Sequence, residues 1–286
     1  MTCALCGGTT SPHLDKAGAD GRVWHIVRCN SCTAWQIQPL PGNEELAALY
    51  QNEYFKKRSD RGYADYTSEK IRRSVVSTLE KNLNDLGFFS WEQRLSSRRL
   101  LEVGCAAGHA VGYFTARGWQ ALGIDVAREM VEAGRSQGYN LQCADFLTFD
   151  FAAAKFDLIT HWATLEHLPD AEKFLRRMAS LLAPGGKIYL STCNTGYFAR
   201  HYGSAWRYLN LPEHVFYFNK KSLAQLAAKC GLKMTRAFSY GSGFTTREDA
   251  SWWYRLQKRV ADKLARYCLS GDMIVIELTG DASHPR

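Results

Sequence analysis

Leu100-Leu101-Glu102-Val103-Gly104-Cys105-Ala106-Ala107-Gly108, with Ala121-Leu122-Gly123-Ile124-Asp125 a short way on, decides how this chain folds. The apolar run reads as a buried parallel strand. The segment from Gly104 to Gly108 reads as a turn whose backbone amides can approach a ligand, and His109 to Arg117 as the helix that follows. The second stretch reads as a neighbouring strand ending in a carboxylate, placed to accept hydrogen bonds from both hydroxyls of a ribose. Strand, turn, helix, strand and acid in this order make a nucleotide-binding crossover.

The glycine spacing separates two kinds of ligand. A dinucleotide turn needs G-x-G-x-x-G to seat a pyrophosphate on a helix N-terminus, whereas this chain has Glu102-x-Gly104-x-x-x-Gly108. An acid at the end of the strand repels a pyrophosphate and suits a cationic ligand. In these residues the chain resembles the class I S-adenosylmethionine (SAM) methyltransferases, whose first motif is an acidic-x-Gly-x-Gly-x-Gly turn. Ala106 stands at the family's middle glycine, and an alanine is tolerated there if its backbone keeps an ordinary conformation.

The resemblance continues through Asn140 to Phe146 as a third strand, Lys155 to Trp162 as a fourth, and Leu181-Leu182-Ala183-Pro184-Gly185-Gly186 as the corner before a fifth. It implies an α/β fold, a Rossmann-like doubly wound sheet of seven strands whose last strand, Met273 to Leu278, inserts antiparallel beside the fifth. It also implies a cofactor site. Glu102, Gly104, Cys105, Ala106 and Gly108 would form the turn, with Asp125, Val126 and Met130 after the second strand. Asp145 would meet the adenine amino group, Phe146 would lie beside the ring, and His161 and Trp162 would line the site from the fourth strand. Tyr63 and Tyr66 read equally as a lid over the cofactor or as core residues that seat an N-terminal helix.

Ahead of this domain, Cys3-x-x-Cys6 and Cys29-x-x-Cys32 are joined by a segment long enough for a β-hairpin. Two such knuckles can place four thiolates tetrahedrally about 2.3 Å from one structural Zn²⁺. The second knuckle lacks the glycine that follows Cys6. Cys105, Cys143, Cys193, Cys230 and Cys268 stand singly and read as small buried hydrophobes.

The 286 residues, 46% of them apolar, suffice for one large core plus a small appendage that needs a metal to fold. No apolar run approaches the roughly 20 residues that span a bilayer, and no signal-like segment precedes Cys3, so a cytoplasmic setting is expected. The formal charge of +8 is spread along the chain and leaves nucleic acid as a partner open without selecting it. The expected divisions are a zinc ribbon over 1–40, a helical linker or lid over 41–98, and the methyltransferase domain over 99–286 with an insertion at 244–270. In that insertion Trp253, Leu256, Val260, Leu264 and Tyr267 recur at helical period, with basic residues on the other faces. The pattern fits a solvated helix packed between the last two strands, a surface for a membrane, an acidic partner or nucleic acid, a lid, or a homodimer contact.

The zinc-headed layout resembles a branch of small-molecule methyltransferases that includes sugar C-methyltransferases. The methyl on a sulfonium is already electrophilic, so the protein must align a nucleophile and exclude water, and an acidic hydroxyl or carbon also needs a base. The loop Leu211 to Phe218 resembles the family's active-site loop, which implies His214 as the base with Glu213 fixing its tautomer, and His167 as a second candidate. The alternative for His214 is a structural imidazole bonded to a loop carbonyl, and for His167 that Glu166-His167 simply starts the helix after the fourth strand. Trp206 with Tyr208, and Trp252-Trp253-Tyr254, are candidates for an acceptor pocket. Three functions follow. The first is a small-molecule methyltransferase acting on oxygen or carbon of a sugar, a polysaccharide precursor or a natural-product intermediate. The others are a zinc-ribbon rRNA or tRNA methyltransferase and a SAM-binding protein without turnover.

Overall fold

The computed structural model describes residues 1–42, 45–46, 65–242 and 250–281. Tyr63, within 47–64, and residues 243–249 lie outside the described residues. The chain opens with strands β1 (Thr10–Ala17), β2 (Val23–Cys29) and β3 (Trp35–Gln38), followed by helices α1 (Glu69–Asp85) and α2 (Phe88–Glu92). Then come β4 (Arg99–Val103), α3 (His109–Ala116), β5 (Gln120–Asp125), α4 (Arg128–Ser136), β6 (Leu141–Cys143) and β7 (Phe156–Trp162). The remainder is α5 (Ala171–Leu181), β8 (Leu182–Cys193), α6 (Tyr197–Tyr202), β9 (Phe216–Tyr217), α7 (Lys220–Lys229), β10 (Leu232–Tyr240), α8 (Trp252–Cys268) and β11 (Met273–Gly280).

Seven strands form one sheet in the order β10-β11-β8-β7-β4-β5-β6. The β4, β5, β6, β7 and β8 pairings are parallel, and β11 runs antiparallel to both β8 and β10. This is the Rossmann-like sheet that the motif order implies, with the late antiparallel strand where it was expected. Alternation along the strands separates two cores. Leu100, Tyr189 and Val275 face Leu83, Phe88 and Phe114, whereas Leu101, Leu190 and Ile276 face Leu175, Met178 and Leu226. The third strand is shorter than its reading. It stops at Cys143, because the Asp145 carboxylate accepts the Leu147 amide at 2.9 Å and turns the chain.

Helix ends follow local chemistry. Ser68 caps α1 by accepting from the Ile71 amide, and Asn219 and Ser222 form a reciprocal capping box on α7. Of the single cysteines, Cys105, Cys193 and Cys230 are buried as expected, while Cys143 is half-buried and Cys268 is exposed.

The N-terminal strands make a second sheet, β1-β2-β3-β9, whose fourth member comes from much later in the chain, after β8 and α6. Trp35 pairs with Tyr217 and Gln36 with Phe216. Trp24, Ile26, Trp35 and Ile37 pack into the same core as Leu101 and Ile159, so the head and the main sheet share one hydrophobic interior.

Candidate active site

The glycine turn sits at the carboxyl end of β4. Gly104 and Gly108 have φ of 74° and 72°, and a Cβ on either would fall 2.8 Å from Thr164 or Leu141, so neither position accepts a side chain without movement. Ala106 also takes a left-handed conformation, with φ 44°. The condition on which an alanine would be tolerated here without strain, an ordinary backbone, is therefore not met. Its amide donates to Asp125 Oδ2 at 2.7 Å, and that bond holds the residue in a conformation the family normally gives to glycine.

Asp125 closes β5 and takes a second amide, from Ala127, at 2.8 Å on Oδ1. The two bonds fix the plane of its carboxylate at the sheet edge, and burial raises its pKa. Glu102 is 5% exposed and accepts the Val111 amide of α3 at 3.2 Å. Burial, with the Asp125 charge adding to it, pushes its pKa up to about 8. Two crowded carboxylates at the mouth of one turn make a place where a cation is welcome. Cys105 is buried with its thiol pKa pushed up by the same desolvation.

The adenine side is mixed. Val126 is exposed and Met130 buried, and Cys143 Sγ lies 3.9 Å from the Val126 carbonyl, so the ends of β5 and β6 meet here. Asp145 is exposed two residues beyond. Phe146 is instead packed in the core against Phe151 and Phe174, with ring centroids 5.9 and 5.4 Å away. His161 is fully buried, bonds the Val103 carbonyl through Nδ1 at 2.8 Å, and burial pulls its pKa down to about 4. Trp162 is half-buried beside it. His109, which sequence reading passed over, follows Gly108 directly. Its ring stacks on Tyr66 at 5.2 Å and its Nε2 lies 2.8 Å from the Tyr66 carbonyl, which seats Tyr66 at the edge of the turn.

A second group gathers beyond the ends of β7 and β8. One ligating atom each of Glu166, His167 and His214 lie within 4.8 Å of one another, and the two imidazoles stand edge to face at 4.6 Å. His167 Nδ1 meets the Glu213 carbonyl at 3.1 Å, and His214 Nδ1 meets the Tyr208 carbonyl at 3.0 Å. A carbonyl only accepts, so each Nδ1 carries the proton and Nε2 is the basic nitrogen of each ring. Glu166, 1% exposed, accepts from Thr192 at 2.8 Å, and burial pushes its pKa up to about 7. Glu166 was missed as a partner of His214 because the two lie far apart in sequence; its place beside His167 was the one available signal. Trp206 is buried, with its Nε1 on Asp272 at 2.8 Å, whereas Trp252 and Trp253 are exposed.

The four head cysteines converge as a third group. Their sulfurs lie within 4.8 Å of one another, with Cys3 to Cys32 at 3.7 Å and Cys6 to Cys29 at 3.4 Å. Four sulfurs about 2.3 Å from one tetrahedral centre stand roughly 3.8 Å apart, so the spacing fits a single Zn²⁺. Amides of Ser31 and Cys32 point at Cys29 Sγ, 3.4 and 3.3 Å away, as donors toward a thiolate. Thr33, where the second knuckle lacks glycine, takes φ 65° beside the 74° of Gly7, so both knuckles turn alike.

The base group adjoins the head through one short segment. The Val215 amide donates to the Glu166 carbonyl at 2.8 Å, and the Val215 carbonyl accepts from Ile37 of the head at 3.1 Å. His214 therefore sits one residue from a strand that the ribbon holds in place.

Comparison with known proteins agrees with this fold. The profile of a family described as a methyltransferase domain matches residues 66–237. The ubiquinone biosynthesis O-methyltransferase of Coxiella burnetii is 26% identical over 162 residues, covering 52% of this chain and 69% of that one. The enzyme of the same name from Xanthomonas euvesicatoria pv. vesicatoria is 36% identical over 117 residues, covering 38% of this chain and 48% of that one. A SAM-dependent methyltransferase from Archaeoglobus fulgidus shares the fold, with a TM-score of 0.52 at 16% identity over 72% of this chain and 93% of its own. No helix among the described residues is long and apolar enough to cross a membrane. The chain belongs to the methyltransferase-domain family and is a SAM-dependent methyltransferase.

Proposed function

We propose that the enzyme methylates a hydroxyl oxygen of a small acceptor, held between the glycine turn and the Glu166, His167 and His214 group. The observation that carries this reading is the pair of imidazoles whose Nδ1 atoms are each tied to a backbone carbonyl, which leaves basic nitrogens next to a buried carboxyl. The relatives' name, O-methyltransferase, favours oxygen over carbon as the attacked atom. Sugars, polysaccharide precursors and natural-product phenols remain the acceptor classes that fit.

In this reading Glu102, Gly104, Cys105, Ala106 and Gly108 hold the methionine end of the cofactor, and Asp125 takes the ribose hydroxyls. Val126, Met130 and Asp145 border the adenine, and Tyr66 covers the turn. SAM supplies a methyl group on a positively charged sulfur, already electrophilic. Glu102 and Asp125 stabilise that charge, and Tyr66 with the buried wall around His161 and Trp162 keeps water away. His214 Nε2 would take the acceptor's hydroxyl proton, readying that oxygen for the electrophilic methyl that bound SAM would supply. Glu166, once ionised, stabilises the imidazolium that forms. Cys3, Cys6, Cys29 and Cys32 hold one Zn²⁺, which supplies folding energy to the head and takes no part in the transfer.

Two titrations and one assay test this. Asp125→Ala should abolish SAM binding in a calorimetric titration, and unchanged affinity refutes the ribose assignment. His214→Gln should bind SAM as the parent does and lose turnover of a catechol or sugar acceptor by at least about 100-fold, the usual worth of a general base. An active His214→Gln enzyme removes His214 as the base.

A further inference from the structure

Helix α8 is mounted with its apolar stripe facing outward. At about 100° per residue, Trp252, Leu256, Tyr267, Val260, Trp253 and Leu264 fall within an arc of roughly 120°. All six are exposed, from 43% at Leu256 to 69% at Tyr267. The opposite face is what holds the helix to the protein, and it is small and polar. Ala265 is buried and its carbonyl accepts from Ser239 at 2.6 Å, Asp262 is bonded by Ser242 and by Lys258, and Arg266 pairs with Asp85 and lies over Phe238. A helix packed for its own stability turns such a stripe inward. Six large side chains left in water along one line form a contiguous patch of the kind that marks an interaction surface.

Charge chooses the occupant. Arg255, Arg259 and Lys263 follow one edge of the stripe, and Asp262, the single acid in the helix, lies on the inner face paired with Lys258. A second copy laid antiparallel would bring that basic edge against itself. A nucleic acid would meet Leu256, Val260 and Leu264, which have nothing to offer phosphate. An anionic lipid surface satisfies both parts. Aliphatic side chains enter the acyl boundary, Trp252, Trp253 and Tyr267 take the headgroup level where their rings prefer to lie, and the cations meet lipid phosphates. We propose that α8 docks the enzyme on the surface of a membrane containing anionic lipid, lying in the interface plane without crossing it.

The test uses the whole protein and sedimentation with vesicles of phosphatidylcholine alone or mixed with phosphatidylglycerol. Binding to the mixed vesicles should be about tenfold or more tighter than to the neutral ones and should weaken with salt, as expected for cations near a charged surface. The double variant Leu256→Glu with Leu264→Glu, both exposed, should keep SAM affinity and fail to sediment with either vesicle. Arg259→Glu with Lys263→Glu should lose only the preference for anionic lipid. Three results overturn the proposal: a parent protein that stays in solution with both vesicles, a Leu256→Glu/Leu264→Glu variant that sediments as well as the parent, or a lipid-free dimer that this variant dissociates.

Discussion

Asn219, the residue that caps α7, donates from Nδ2 to both the carbonyl and the hydroxyl of Thr33 in the second cysteine knuckle, at 3.1 and 3.0 Å. Its Oδ1 meanwhile accepts the Ser222 amide at 3.0 Å. One side chain thus starts a helix of the catalytic domain and clamps a β-branched residue in a left-handed turn. Asn219→Ala should cost about 1–2 kcal/mol in denaturant unfolding, the range for a lost cap, and loosen the head as well. Thr33→Gly should leave Tm unchanged or higher, because glycine reaches that φ without strain. A marked fall in Tm for Thr33→Gly would show that the threonine contacts outweigh its backbone strain.

Glu102 links cofactor binding to pH. Burial raises its carboxyl from 4.5 to about 8, so near neutrality it is mostly protonated. A cationic ligand prefers the carboxylate and must expel that proton, so SAM affinity should rise with pH up to about 8 and then level. Titrations in buffers of different ionisation heat should report proton release, and Glu102→Gln should flatten both effects. Without ligand the sign reverses. The folded state binds the extra proton, so stability falls as pH climbs from about 4.5 to about 8, and Glu102→Gln should recover on the order of a few kcal/mol at the alkaline end.

Glu166 gives the rate its own acid limb. Its carboxyl, raised by burial to about 7, must ionise before it can stabilise an imidazolium on His214. Turnover at saturating SAM should therefore increase through about pH 7, and Glu166→Gln should lower kcat and remove that limb while sparing SAM affinity. An unchanged pH–rate profile in Glu166→Gln would detach this carboxyl from the chemistry.

With Zn²⁺ held by the four head cysteines as proposed, stripping it should reach the base group. Val215 is bonded to Ile37 on one side and to Glu166 on the other, so unfolding the ribbon releases the segment that carries His214. Chelation should lower kcat more than it weakens SAM binding, and zinc should restore it. Full activity in metal-free protein, checked by elemental analysis, would break the link.

What the sequence made legible was what is local. The Glu102 to Gly108 turn, Asp125 at the end of β5 and the paired C-x2-C knuckles each depend on residues a few positions apart. The positive φ at Ala106 and Thr33 was hidden, because both residue types normally avoid that region and are held there by partners distant in sequence, Asp125 and Asn219. The two-residue strand Phe216–Tyr217 is too short to leave a periodic pattern, and Glu166 meets His214 only in the fold. Helical period in the insertion revealed α8 but not its orientation, since periodicity records an apolar face without saying what it faces.

Because Tyr217 pairs with Trp35 to add the fourth strand of the head's sheet, the head cannot finish folding until a much later segment of the chain has been synthesised. At usual synthesis speeds of ~5–20 residues per second, the nascent head waits roughly ten to forty seconds for its fourth strand, with a raw edge showing. Early capture of zinc by the two knuckles is then what would keep that unfinished edge from pairing with a neighbour on the same polysome.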